Sequence, residues 1–96
     1  MKLVVITYRF EYADRIERIL DRHAVTDYVR HALIEGSDKD GKHYGSQVFP
    51  GNMSQVQAQV EDDDVDGLLD DLKTFKEKKP SHAHLTAAVL EVGRSI

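Results

Sequence analysis

A 96-residue chain in which 41% of residues are apolar makes a single domain, one that buries roughly 60% of its unfolded surface and is stable with little margin. Thirteen Lys and Arg against seventeen Asp and Glu leave a net charge of −4, which removes the general attraction to phosphate backbones that nucleic-acid binding requires. With no cysteine there is neither a disulfide framework nor a thiolate zinc site, and the five apolar residues between Leu3 and Tyr8 are too few for a signal-peptide core or a membrane span. The expectation is a soluble, cytoplasmic protein with no nucleic-acid partner and no direct membrane insertion.

Lys2 to Tyr8 is β-rich and apolar on both sides, as in a core strand with both faces partly covered. From Tyr12 to His23 the residues Tyr12, Ile16, Ile19 and Leu20 recur at helical spacing, while Asp14, Arg15, Glu17, Arg18 and Asp21 take the other side. This predicts an amphipathic helix with a solvated charged face. Val25 to Ile34 alternates more weakly, with Tyr28, Arg30, Ala32 and Ile34 on one side and Val29, His31 and Leu33 on the other, and predicts a second strand. The stretch from Glu35 to Met53 then holds four of the six glycines, and a loop of that length in so small a domain points to function. Asp40-Gly41 within it is a hairpin-turn signal, so part of the loop also reads as a β-ribbon.

Gln55 to Val60 alternates without exception, Val56, Ala58 and Val60 against Gln55, Gln57 and Gln59, and predicts a third strand with one packed face. Asp62-Asp63-Asp64 supplies a helix start, with the Asp63 to Asp66 spacing of a capping box. Val65, Leu68, Leu69, Leu72 and Phe75 form the apolar stripe, Lys73, Lys76, Lys78 and Lys79 crowd the C-terminal end, and Pro80 stops the helix. Leu85 to Val92 is a last strand. The order β-α-β-loop-β-α-β predicts an α+β, ferredoxin-like βαββαβ fold, with the first and third strands central and both helices on one face of an antiparallel sheet. The opposite face would then mix a glutamine row with apolar side chains, too apolar to stay wet and too polar for a dry core. A symmetric oligomer in which such faces meet resolves that conflict.

The order of elements, the Gly-rich insertion, Tyr44-Gly45-Ser46-Gln47 closing it, the acidic start Val60-Glu61-Asp62-Asp63-Asp64-Val65 and the closing Val89-Leu90-Glu91-Val92-Gly93-Arg94 together resemble the PII signal-transduction superfamily. The likeness spans essentially the whole chain and is strongest to the shorter PII-like members, which carry a Phe-Pro-Gly such as Phe49-Pro50-Gly51 at the base of the flexible T-loop. The resemblance implies a homotrimer with effector sites in the clefts between subunits, and a T-loop, here about residues 35–53, that regulates a partner membrane transporter or enzyme. It implies adenine nucleotides (AMP, ADP or ATP) or bicarbonate as effectors, and no enzymatic activity. The connection Lys78-Lys79-Pro80-Ser81-His82-Ala83-His84 departs from the nitrogen-signalling members in having no glycine, which favours a smaller nucleotide such as AMP or ADP over ATP held in the usual mode.

The candidate effector-binding residues are Gly36 and Ser37, which open the loop, Gly45 and Ser46, which close it, Lys78 and Lys79, and Arg94, where relatives place a phosphate-reaching basic residue. His82 and His84 point the same way if the backbone there is extended, and neutral imidazoles at that spacing can share a divalent metal. On that basis the alternative is a CutA-like or metal-efflux-associated metal-binding protein. The acidic run Asp62 to Asp64, with Asp66, Asp70 and Asp71, lacks the spacing of a calcium loop and reads as helix charge on a wet face. No Ser/His/Asp order, Cys/His pair or Walker sequence is present, so no catalytic residue is assigned.

Overall fold

The computed structural model describes residues 1–34, 36–38, 41–43 and 53–96, the two short segments by their backbone alone. Its elements in chain order are β1 (Lys2–Arg9), α1 (Ala13–Arg22), β2 (Tyr28–Ile34), β3 (Gly36–Asp38), β4 (Gly41–His43), β5 (Met53–Val60), α2 (Asp62–Lys78) and β6 (Thr86–Glu91). Short 3-10 turns at Phe10–Tyr12 and Pro80–His82 lead into α1 and out of α2. The four long strands form an antiparallel sheet in the order β2-β5-β1-β6, and β3 and β4 pair separately as a small ribbon. The expected ferredoxin-like arrangement is therefore present, with β1 and β5 central.

Alternation along the central strands decides which side packs. Val4, Ile6 and Tyr8 of β1 and Val56, Ala58 and Val60 of β5 are at most 2% exposed and meet the stripes of the two helices. Those stripes are Ile16, Ile19 and Leu20 on α1 and Val65, Leu68 and Leu72 on α2, with Leu69 and Phe75 partly buried against the same cluster. Burying each large aliphatic side chain contributes about 1.5–3 kcal/mol, so this single layer accounts for the fold. The helices are also tied by polar contacts at one end. Asp71 accepts from His23 Nε2 at 3.0 Å and pairs with Arg22 at 3.2 Å, so one member of the acidic run serves as a clamp between helices.

Three local expectations are corrected. The pairing Tyr28–Ala58 through His31–Gln55 slips by one residue before Ile34 meets Met53, so β2 carries a bulge and its alternation does not continue to Ile34. The bulge gives the fully buried Ser54 hydroxyl an acceptor, the carbonyl of Ala32. Second, α2 begins at Asp62 behind an extended Glu61 that makes no side-chain capping bond. Asp63 thus sits inside the first turn, where its carboxylate acts on the helix dipole and not as a cap, and the Asp63–Asp66 box is not made. Asp62 instead accepts from the N-terminal ammonium at 2.8 Å, which holds its carboxyl below the usual range. Third, the last strand is shorter than expected and exposed along its whole length.

Helix α1 ends in a Schellman motif: Val25 N–H donates to Leu20 O at 3.0 Å and Ala24 N–H to Asp21 O at 3.1 Å. Ala24 occupies the left-handed position, φ 55°, where glycine is the unstrained residue. Exchanging Ala24 for Gly is expected to stabilise the protein by about 1 kcal/mol, because the left-handed conformation costs an L-residue roughly that much. A chemical denaturation midpoint that stays put or falls would show that the cap carries no strain.

Candidate functional site

The face of the sheet away from the helices is unlike a packed core. Cross-strand register sets out rows across it: Leu90, Leu3 and Gln59; then Ala88, Val5, Gln57 and Val29; then Thr86, Thr7, Gln55 and His31. Val29 is 60% and Leu90 48% exposed, while Leu3, Val5 and Thr7 are half-buried by their neighbours alone. The polar members bond within the face, Gln55 Nε2 donating to Thr7 Oγ1 at 3.2 Å and Gln57 Nε2 to Gln55 Oε1 at 3.3 Å. Glutamine amides with their hydrogen bonds made locally are compatible with burial against another surface. A wholly exposed edge strand, β6, borders this face.

The candidate effector-binding residues divide between the two ends of the sheet. Gly36 and Ser37 lie on the backbone of β3, opposite His43 and Lys42 of β4, and Asp38 pairs with Gly41, while Asp40 of the expected Asp40-Gly41 turn lies outside the described residues. Gly45 and Ser46, like Tyr44 and Phe49-Pro50-Gly51, lie outside the described residues. Lys78 is the last residue of α2, and Lys79 follows in extended backbone, φ −143° and ψ 146°. Both belong to the end of the sheet where β1 finishes, because the turn that follows them packs its His82 edge-on against Tyr12. Arg94 belongs to the other end: β6 runs antiparallel to β1, with Thr86 opposite Thr7 and Glu91 opposite Lys2. One chain therefore does not bring Arg94 to Lys78 and Lys79.

Sequence reasoning missed a cavity of about 630 Å³ between α1 and the end of α2. Arg15, Arg18 and Arg22 line one wall, and Lys78 and Lys79 the other. Ile19, Phe75 and His82 supply its apolar and ring surface, and Asp21 is its one carboxylate. The signal was present, since Arg15, Arg18 and Arg22 stand at i, i+3 and i+7 and so share a helix stripe, with Asp14, Glu17 and Asp21 on the stripe beside it. Reading all of them as one solvated face hid the sorting of charge.

His82 is 2% exposed. Its ring stacks on Phe75 with centroids 4.0 Å apart and planes 5° off parallel, and meets Tyr12 edge-on at 4.6 Å. Nδ1 donates to the Phe75 carbonyl at 2.6 Å, and Nε2 has no partner among the described residues. The backbone is a 3-10 turn at Pro80–His82 followed by a further turn, so the extended conformation assumed in pairing His82 with His84 is absent. The reason is Pro80, which starts the turn, together with the ring cluster that pulls His82 inward. Among the described residues no three His, Asp or Glu side chains gather into a metal-binding group.

Neither a family model nor a curated protein matches the chain. Solved structures do. CPII, a nitrogen regulatory PII-like protein from Thiomonas intermedia K12 solved with ADP, AMP and bicarbonate, superposes with a TM-score of 0.78 at 19% identity over 95% of this chain and 90% of that one. Its apo form gives a TM-score of 0.69 at 20% identity over 98% and 92% of the two chains. A candidate PII-like signalling protein from Thermus thermophilus gives 0.59 at 16% identity over 92% and 80%. The four-stranded antiparallel sheet with two helices on one face is thus a fold that this chain shares with these PII-like structures.

Proposed function

We propose that the chain is a PII-like regulatory protein, a cytoplasmic homotrimer that binds an adenine nucleotide or a small anion in clefts between subunits and acts on a transporter or an enzyme through residues 35–53. The observation that carries this reading is the mixed helix-free face, whose half-exposed Leu3, Val5, Val29 and Leu90 call for a covering surface while its glutamines tolerate one. Placing Arg94 and Lys78 at opposite ends of one chain supports it further, since a second copy can supply the missing half of a shared site. The fold's likeness to a protein solved with ADP, AMP and bicarbonate makes those the first effectors to try. Gly36, Ser37, Gly45, Ser46, Lys78, Lys79 and Arg94 are the proposed effector contacts, loop order being the state that the effector biases. No observation among the described residues favours the metal-binding alternative.

Light scattering is expected to give a mass three times the 10.9 kDa of one chain. Calorimetric titration with AMP, ADP, ATP and bicarbonate is expected to give saturable binding of at least one nucleotide. Arg94→Ala should weaken that binding tenfold or more, the loss of a charge-assisted hydrogen bond to phosphate. Single chains that bind none of the four ligands would overturn the reading.

A further inference from the structure

We propose that the cavity between α1 and α2 is a second anion site, lying within one chain and taking a small molecule that carries two or more phosphoryl groups. Five cationic side chains line it against the single carboxylate of Asp21, in a chain whose net charge is −4. Arg15 and Arg22 stand i−3 and i+4 from Arg18, like-charge spacings that Asp14 and Asp21, at i−4 and i+3, offset in part. Arg22 is relieved by Asp71 at 3.2 Å, and Arg15 stands 5.7 Å from the centre of the Tyr12 ring. Arg18, Lys78 and Lys79 have no carboxylate partner among the described residues. A local rule broken without an evident structural gain is the pattern of a binding site.

Three features select a small polyphosphorylated molecule over a flat polyanion. The site is concave, and about 630 Å³ falls within the range of small-ligand pockets. Arginine forks opposite lysine point charges suit several phosphoryl oxygens at once. The half-buried Phe75 side chain gives the rest of such a ligand an apolar surface. Arg94 takes no part, and of the proposed inter-subunit effector contacts this site shares only the lysines.

The test uses the full chain with inorganic tripolyphosphate as the probe, in about 150 mM salt so that diffuse attraction is screened. Tripolyphosphate at a hundred times its dissociation constant is expected to lower the unfolding equilibrium constant about a hundredfold and to raise the melting temperature accordingly. Arg15→Glu and Arg18→Glu, at exposed positions that the fold does not need, should each abolish that shift while leaving the titration with AMP, which carries a single phosphoryl group, unchanged. Arg94→Ala should keep it. The proposal is overturned if tripolyphosphate has no effect, if the shift survives both α1 reversals, or if the chain binds anionic phospholipid vesicles through these arginines and ignores the free polyphosphate. Failure here with nucleotide binding intact leaves the regulatory reading standing, and loss of nucleotide binding with this shift intact does the reverse.

Discussion

Val5→Asp is expected to turn the protein into single chains and to abolish nucleotide binding, while each chain keeps its fold. Val5 occupies the middle row of the helix-free face, between Ala88 on β6 and Gln57 on β5, with its side chain pointing away from the core. A carboxylate there is solvated in an isolated chain, so far-ultraviolet circular dichroism should stay native. In the proposed trimer the same carboxylate is buried three times without a cation, for the near neighbours on that face are Thr, Gln, Ala and Leu. An unpaired buried charge costs on the order of 3–5 kcal/mol, enough to weaken each contact by more than a hundredfold. Light scattering reads the mass, and titration with ADP reads the consequence for the clefts. An undiminished mass would remove this face from the assembly and with it the main support for inter-subunit sites.

Elements whose side chains obey one period were legible in the sequence. The strict alternation of Gln55 to Val60 gave β5 and its buried face, and the Val65, Leu68, Leu72 stripe gave α2, because both patterns record a single dominant interaction, burial against the other. The β2 bulge was not legible: it depends on Ser54, a residue of another strand, finding an acceptor at Ala32. The start of α2 was legible but its capping was not, since Asp62, Asp63 and Asp64 look alike and only the tertiary placement of Asp62 beside the N-terminus distinguishes them. At the candidate sites the limit was similar. Residue types marked Lys78, Lys79 and Arg94 as anion ligands, but only the register of β6 on β1 separates them, and only the packing of the two helices side by side adds Arg15 and Arg18 to the lysines.

His82 shows how far such a reading can turn, and replacing it with Ala is expected to be among the most damaging single changes in the chain. The ring fills space between Phe75 and Tyr12 and donates to the Phe75 carbonyl, so its removal leaves a cavity, two broken ring contacts and an acceptor without its donor. Cavity terms for large-to-small core changes and the lost hydrogen bond together suggest about 2–4 kcal/mol. For a domain of this size that is a fall in melting temperature of roughly 10–20 °C. The change also severs the link between the end of α2 and the turn before α1, so the Lys78 and Lys79 wall of the cavity should loosen with it. A metal-ligand role predicts a different pair of results: zinc or nickel would raise the melting temperature of the unaltered chain, because a ligand bound only by the folded state must stabilise it, and His82→Ala would lose only that increment. An unaltered chain indifferent to both metals, with His82→Ala melting far lower in their absence, identifies the ring as packing at the joint between helices.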